Sequence, residues 1–209
     1  MCESFNQQYG TNYIAVMPTN LYGPNDNFDL AKSHVLPGMI RKIYLAKCLM
    51  EGDWAGIHAD LGKRPIEGIT VEHSNEDIAL VLSKYGISGN ALSLWGTGTP
   101  LREFLWSEEM ADACVFIMEH VNFEDLAKNK KEVRNCHINI GTGKEISIRD
   151  LANLIKGTIG YKGNIDFDSS KPDGTPRKLT DVSKLHSLGW HHQIEIEEGV
   201  RKMVNWYLN

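Results

Sequence analysis

The chain has 209 residues and a formal net charge of −5, with 42% hydrophobic, 23% charged and 9% aromatic residues. This composition is typical of a globular protein with one large domain or two small ones, and it excludes disordered and collagen-like chains. No apolar run reaches the roughly 18 residues of a membrane span, the first residues do not resemble a signal peptide, and the acidic balance excludes a chain-wide nucleic-acid footprint. We therefore predict a cytoplasmic protein that binds neither membrane nor nucleic acid.

Hydrophobic periodicity and capping residues predict strands that alternate with helices, which is the pattern of an α/β fold. Residues 19–28 are rich in turn formers and are predicted to form a loop, and residues 52–90 are predicted to be an insertion with helical pieces. In chain order, the predicted elements are helix 1–9, strand 12–18, helix 35–51, helix 75–85, strand 92–95, strand 102–106, helix 107–121, strand 137–140, helix 148–159, strand 165–167, helix 182–188 and helix 196–208.

The helix predicted over 107–121 carries a specific expectation for its packing. Ser107 is a residue type that caps helix N-termini, so we expect it to cap this one. The spacing of the apolar residues predicts that Met110, Cys114, Ile117 and Met118 face the core.

Cysteines and histidines give no sign of a metal site. The cysteines Cys2, Cys48, Cys114 and Cys136 form no C-x-x-C pair, and no Cys/His cluster has the spacing of zinc ligands. We therefore predict free thiols in a reducing compartment and no bound metal.

Two glycine pairs invite comparison with phosphate-binding loops. Gly96-x-Gly98 and Gly141-x-Gly143 each follow a predicted strand, but neither completes the pattern G-x-G-x-x-G. We interpret both as tight turns, with a phosphate cradle as the alternative.

The segment Met17–Pro24 follows a buried strand, and the chain closes with Leu188-Gly189-Trp190 and Ile196–Val200. These segments resemble the strand-end motif and the C-terminal region of the extended short-chain dehydrogenase/reductase family, which acts on nucleotide sugars. The resemblance implies an α/β fold that combines a Rossmann-like NAD(P)-binding domain with a smaller substrate-binding domain. The carboxyl ends of parallel strands are where such sheets bind ligands.

Four further segments narrow the resemblance: Asn20–Phe28, Ser33–Val35, Leu94–Phe104 and Lys171–Lys178. They are similar to the GDP-L-fucose synthase family, also described as GDP-4-keto-6-deoxymannose 3,5-epimerase/4-reductases. This resemblance implies NADP(H) as cofactor and a GDP-sugar as substrate. It implies inversion at C3 and C5 beside a 4-keto group, followed by hydride transfer to C4.

The resemblance also implies roles for individual residues. His34 matches the catalytic acid/base histidine of the family, which also lies beside the cofactor, and an imidazole can give and take protons at neutral pH. Pro18, Thr19, Asn20 and Leu21 match the segment that lies against the nicotinamide half of the cofactor.

Contacts to the GDP-sugar are implied for Lys42, Trp95, Arg102 and Asp173. Cations suit a diphosphate, and arginine can hold two of its oxygens at once. Three of these residues also have a simpler structural interpretation, because Lys42 could be a solvated helix residue, Trp95 a core residue and Asp173 a turn residue.

The sequence also departs from the family pattern. It contains neither the glycine-rich phosphate loop nor the Tyr-x-x-x-Lys pair, and none of its cysteines matches the second acid/base residue. Residues 1–9 look like the remainder of the helix that carries that pair. We therefore expect the C-terminal part of such an enzyme, with a remnant of the dinucleotide domain at 1–34 and mainly substrate domain at 35–209, including possible returns to the first domain.

Alone, this chain is expected to be inactive and to bind NADP(H) weakly or not at all, whereas the intact enzyme is expected to be a homodimer. Two other functions remain open. The chain could be a non-catalytic GDP-sugar-binding or regulatory subunit, or it could belong to another nucleotide-sugar epimerase or dehydratase.

Overall fold

The computed structural model describes residues 1–128 and 130–209. The chain forms two compact units, each assembled from three separate stretches: a first unit of Met1–Gly23, Arg102–Glu145 and Lys178–Gly199, and a second unit of Pro24–Leu101, Ile146–Arg177 and Val200–Asn209. The functional division into a cofactor part at 1–34 and a substrate part at 35–209 stays a prediction.

Helices and strands alternate along the chain. In chain order they are α1 (Cys2–Tyr9), β1 (Val16–Pro18), β2 (Asn20–Tyr22), α2 (Val35–Glu51), α3 (Trp54–Lys63), α4 (Asn75–Lys84), β3 (Ala91–Trp95), β4 (Leu101–Arg102), β5 (Phe104–Trp106), α5 (Ser107–His120), α6 (Phe123–Ala127), β6 (Ile138–Ile140), β7 (Ile146–Ser147), α7 (Ile148–Ile159), β8 (Asn164–Asp168), β9 (Arg177–Lys178), α8 (Ser183–Ser187) and α9 (Ile196–Leu208).

Three strand pairs are parallel. In the first unit β1 pairs with β6, with Val16 opposite Ile138, and β2 pairs with β5, with Asn20 opposite Phe104. In the second unit β3 pairs with β8. Parallel neighbours need long crossover connections, which here contain helices, so the predicted α/β class is confirmed.

The core of the first unit forms around β6 and the helices α5 and α8. The buried Trp190 ring belongs to this core. Its indole N–H donates a hydrogen bond to Asp112 at 2.8 Å, so the one polar group of this side chain has a partner. The buried apolar residues of this core include Leu105, Ala113, Ile117, Ile138, Ile140 and Leu185.

Helix α2 is the central element of the second unit and packs against α3 and α7. Leu36, Ile40 and Ile43 on its inner face are at most 1% exposed. Pro37 lies in the first turn, where its missing N–H costs no hydrogen bond. Gly52 ends the helix in the left-handed conformation at φ 69°, which glycine adopts without strain.

A buried ion pair fixes α2 against α3. The guanidinium of Arg41 donates from Nε and Nη2 to Asp60 Oδ2 at 2.9 and 2.7 Å, and from Nη1 to the Phe28 carbonyl at 3.2 Å. The Tyr207 hydroxyl donates to the second Asp60 oxygen at 2.5 Å. Since each charge is partnered several times, the cost of burying the pair is largely offset.

Most predicted elements are present, and α2 and α9 begin and end where the periodicity places them. Three expectations were wrong. The predicted loop at 19–28 contains β2, and Ser107 is the first residue of α5 rather than its cap, because the chain is already extended at Trp106. Met118 is 83% exposed, and the inward position belongs to Ala113.

Candidate functional site

A cavity of about 460 Å³ opens in the second unit. The start of α2, the end of β3 and the predicted insertion form its walls, with Ile148 of α7 completing the lining. The chemistry-bearing residues around it are His34, Lys42, Glu67, Lys84, Tyr85 and Trp95.

Helix α2 places two of these residues along one side of the cavity. His34 is its N-cap residue in extended conformation, and its side chain is exposed. Lys42 lies eight residues further, which corresponds to about 12 Å along the helix axis. Gly38 lies between them, where a Cβ atom would come within 2.6 Å of the Ser33 hydroxyl oxygen, so glycine allows the preceding loop to pack closely on the helix.

Lys42 differs from an ordinary surface lysine. It is half-buried, and this burial lowers the pKa of its ammonium group. Within the part of the chain that the structure describes, no acceptor or carboxylate partners it, whereas Lys47 on the same helix pairs with Glu51 at 2.5 Å. A half-buried cation facing a cavity is a suitable binding group for an anionic ligand.

Trp95 ends β3 and presents its ring at the cavity with 71% of the residue exposed, so the interpretation as a core tryptophan was wrong. The following turn is held by Asp173, which accepts hydrogen bonds from the Thr97 amide at 2.8 Å and from its hydroxyl at 2.7 Å. These bonds, that from the hydroxyl foremost, lower the pKa of the Asp173 carboxyl. Glycine is required at position 96, between Trp95 and Thr97, because its φ is 84° and a Cβ atom would lie 2.3 Å from the Asp173 carboxylate.

The insertion contributes a wall that the sequence did not predict. Ile66 and Ile69 pair with each other, and the two residues between them, Glu67 and Gly68, have φ of 50° and 83°. Such a tight turn normally carries Asn or Gly at its first central position, and a left-handed glutamate costs roughly 1–2 kcal/mol. The Gly at 68 was a turn signal, but no pattern indicated that the neighbouring glutamate lines a cavity.

Glu67 is held in place from α4. Lys84 Nζ donates to Glu67 Oε2 at 2.9 Å, and the Tyr85 hydroxyl donates to Oε1 at 2.9 Å. The hydrogen bond from Lys84, followed by that from Tyr85, lowers the pKa of the Glu67 carboxyl, which therefore stays ionised at neutral pH.

The residues predicted to lie against the cofactor, Pro18–Leu21, belong to the first unit. Thr19 is buried, and its hydroxyl donates to the Glu103 carbonyl at 3.4 Å. The Asn20 amide donates to the same carbonyl at 2.7 Å. Both side chains are therefore engaged in positioning their own strand end.

The side chain of Glu103 lies in the turn formed by the second glycine pair, Gly141 and Gly143. Its carboxylate is fully buried and accepts from the amides of Thr142 at 2.6 Å, Gly143 at 2.7 Å and Thr180 at 2.9 Å. Successive backbone amides that converge in this way form an anion-binding nest. The anion in this nest is the protein's own carboxylate, so Gly141 and Gly143 form a structural turn and not a free phosphate cradle.

The structure brings His34, Lys42 and Trp95 together around one cavity, and Asp173 holds the turn next to Trp95. Arg102 is half-buried at the end of β4 and belongs to the first unit with Pro18–Leu21. The roles assigned to these residues stay predictions.

The fit of a dinucleotide can be tested on these residues. The sequence has no G-x-G-x-x-G loop and no Tyr-x-x-x-Lys pair, and the Gly141–Gly143 amides are already occupied by Glu103. Among residues 1–128 and 130–209 we therefore find no phosphate cradle for a dinucleotide. Pro18, which is exposed at the end of β1, could lie against one face of a nicotinamide.

The four cysteines are free thiols. Burial raises the pKa of the Cys48 thiol to about 11, which makes it unsuitable for proton transfer at neutral pH. No three His, Cys, Asp or Glu side chains of the described residues are grouped to hold a metal ion. Among the residues that the structure describes, no helix is both long enough and apolar enough to cross a bilayer.

The chain is similar along nearly its whole length to several known proteins. GDP-L-fucose synthase of Escherichia coli K12 is 40% identical over 208 residues, which are 100% of this chain and 52% of that protein. A GDP-6-OMe-4-keto-L-xylo-heptose reductase from C. jejuni superposes with a TM-score of 0.88 at 42% identity, over 99% of this chain and 57% of that chain. A GDP-D-glycero-L-gluco-heptose synthase from Campylobacter jejuni, solved in the presence of NADPH, gives 0.86 at 40% identity, over 99% and 56%.

The chain thus spans about half the length of the curated relatives it matches, and those relatives include GDP-L-fucose synthases and related GDP-sugar reductases. A family model, that of the NAD dependent epimerase/dehydratase family, matches residues 1–57 and 70–141. Since these ranges are more than half of the sequence, the chain belongs to the NAD dependent epimerase/dehydratase family.

Proposed function

We propose that this chain forms the sugar-nucleotide side of an NADPH-dependent epimerase/reductase that converts GDP-4-keto-6-deoxy-D-mannose to GDP-L-fucose. The observation that carries the proposal is the single cavity to which His34, Lys42 and Trp95 all contribute. These residues lie on the N-cap of a helix, in its third turn and at the end of a strand, and the fold makes them converge.

His34 is the proposed proton-transfer group. The 4-keto group of the substrate makes the hydrogens at C3 and C5 acidic, because the electron pair left by the departing proton moves into the carbonyl as an enolate. A second acid/base group, which none of this chain's cysteines matches, would take the proton from one face of the sugar. The imidazole of His34 can then deliver a proton to the opposite face, which inverts the carbon. Its exposed position allows it to re-equilibrate with solvent between the two inversions.

Lys42 is the proposed diphosphate ligand. It lies about 12 Å along the helix from His34, which leaves room for a hexose ring between the two residues. A diphosphate restores the charged form of the ammonium that burial disfavours, so binding and protonation of Lys42 support each other. The exposed Trp95 ring offers a flat apolar surface to the same ligand.

Reduction at C4 needs a hydride, which NADPH supplies when bound. The chain carries neither the Tyr-x-x-x-Lys pair nor the glycine-rich loop of its family pattern. We therefore propose that these 209 residues alone bind NADPH weakly or not at all and do not turn over, and that the complete enzyme acts as a homodimer.

A second candidate is favoured by one observation. Two solved relatives at 42% and 40% identity are described as acting on GDP-heptoses. The same cavity would then bind a GDP-linked 4-keto-heptose, with the same roles for His34 and Lys42. The structure of the product formed from each sugar nucleotide distinguishes the two candidates.

Calorimetry with GDP-mannose tests the binding role. We expect Lys42→Ala and Trp95→Ala each to weaken binding about tenfold, the size of one lost charge-assisted or stacking contact. Lys47→Ala on the same helix is the matched control and is expected to bind within twofold of the unchanged chain. If both cavity variants bind as well as this control, the assignment of the cavity to the sugar nucleotide is wrong.

The proton-transfer role is tested in a polypeptide that also supplies the second acid/base residue and the Tyr-x-x-x-Lys pair. In such a protein, His34→Gln is expected to abolish deuterium exchange from D₂O into C3 and C5 of the 4-keto sugar, measured by NMR. Reduction of a 4-keto sugar that is already epimerised should survive, because that step does not use His34 as an acid or base at carbon. Unchanged exchange in the variant would contradict the assignment.

A further inference from the structure

The insertion wall, which we define as Glu67, Lys84 and Tyr85, has no role in the chemistry described above. Yet all three residues line the same cavity as His34, Lys42 and Trp95. A carboxylate is an unexpected lining for a site that receives two phosphates. Glu67 is the only acidic residue among the described lining residues, and the binding of a diphosphate does not explain why a carboxylate lies there.

The local structure is built to present this carboxylate. Glu67 has a left-handed backbone conformation with φ of 50°, which is unfavourable for a residue that carries a Cβ atom. Lys84 and Tyr85 each donate one hydrogen bond to a different Glu67 oxygen, at 2.9 Å in both cases. The carboxylate is thereby neutralised and oriented, and each oxygen keeps a further lone pair for a ligand.

The chemistry of the cavity lining indicates which part of the ligand the insertion wall meets. The two α2 residues take the sugar and the diphosphate in the proposed function. Much of the remaining lining is apolar or aromatic, including Leu94, Trp95, Tyr85 and Ile148. A planar base fits such surfaces, and its polar edge would then face the single carboxylate.

Among nucleobases, guanine matches a carboxylate best. Its N1–H and N2–H₂ donors lie side by side and can pair with the two oxygens of one carboxylate. Adenine presents an acceptor at N1, and uracil presents carbonyl oxygens on both sides of its single donor, which would oppose the charge. We propose that Glu67, held by Lys84 and Tyr85, is the residue of the insertion that selects guanine over other bases.

This inference rests on the proposed function, and nucleotide binding by the 209-residue chain tests it. The probes are GDP, IDP, which lacks the N2 amino group, and ADP, measured by calorimetry. The unchanged chain is expected to bind GDP about tenfold tighter than IDP and at least tenfold tighter than ADP.

Glu67→Gln is expected to weaken GDP binding about tenfold and to reduce the preference for GDP over IDP to within twofold. Tyr85→Phe removes only one support of the carboxylate and is expected to have a smaller effect in the same direction. Glu72→Gln, an exposed isosteric change in the same insertion, is the matched control and should leave both values unchanged. Circular dichroism of each variant confirms that the fold is retained.

The outcomes separate this proposal from the function on which it rests. If Lys42→Ala weakens every diphosphate but Glu67→Gln leaves the base preference intact, the cavity binds nucleotides and the proposal for Glu67 is overturned. If no nucleotide binds, or if neither Lys42→Ala nor Trp95→Ala weakens binding, both the proposed function and the role of Glu67 are overturned.

Discussion

Glu103→Gln is the sharpest test of how the first unit is held together. The substitution keeps the shape of the side chain but replaces one oxygen by an NH₂ group. If the remaining oxygen still accepts the hydrogen bonds from the Thr142 and Gly143 amides, the new NH₂ group faces the amide and hydroxyl of Thr180. The hydroxyl can rotate to accept a hydrogen bond, but the half-buried Thr180 amide loses its acceptor.

The magnitude follows from these contacts. An unsatisfied buried N–H costs about 1–3 kcal/mol, and two hydrogen bonds that lose their charge assistance cost about 1 kcal/mol each. We therefore expect a loss of about 3–5 kcal/mol, which corresponds to roughly 10 °C in the melting temperature of a chain of this size. The control is Glu119→Gln, an identical change at an exposed position of α5, with an expected effect within about 0.5 kcal/mol.

Thermal unfolding followed by circular dichroism measures the global loss. Because the chain has two compact units, unfolding need not be a single transition, so amide hydrogen exchange is the more specific assay. Exchange at Thr142, Gly143 and Thr180 should accelerate in Glu103→Gln, with little change in the second unit. Exchange at these amides equal to that in the Glu119→Gln control would refute the reasoning.

Three further predictions concern the second unit. Asp60→Asn should destabilise it by about 3–5 kcal/mol in urea unfolding, because Arg41 is left as an uncompensated buried charge, and a loss below about 1 kcal/mol would contradict this. GDP affinity measured by calorimetry should fall more steeply with rising pH in the unchanged chain than in Lys42→Arg, because the lysine loses its charge above its lowered pKa and the arginine does not. Equal pH profiles in the two proteins would exclude Lys42 as the ligand. Gly96→Ala should cost about 1–2 kcal/mol and weaken GDP binding through the displaced Asp173 turn, and unchanged stability would show that the turn adapts.

The sequence predicted the long helices well because several signals agree there. Helix α9 carries Val200, Met203, Val204 and Tyr207 at helical spacing, and all four are buried. In α5 the apolar stripe is wider than the buried face. Met118 lies at the edge of that stripe and faces solvent, while the smaller Ala113 takes the central position.

Short strands were harder to predict because their stability comes from distant partners. Strand β2 has three residues within a segment of turn formers, and it exists because β5, more than eighty residues away, pairs with it in parallel. Local propensity carries no information about such a partner. The insertion wall was missed for the same reason, since Glu67 meets Lys84 and Tyr85 only after the tight turn and α4 have formed.

The two glycine pairs show why a short motif cannot identify its ligand. In both, the backbone donates to an anion: the two successive amides of Thr142 and Gly143 at one pair, and the single amide of Thr97 at the other. At Gly141–Gly143 that anion is Glu103, and next to Gly96 it is Asp173, and in neither case is the carboxylate adjacent in sequence. The glycines were recognisable because amides that approach a carboxylate and amides that approach a phosphate need the same backbone. The ligand of such a turn can be predicted from the sequence only when the distant residue that reaches it is known. In this chain that residue is an acidic side chain of the protein itself.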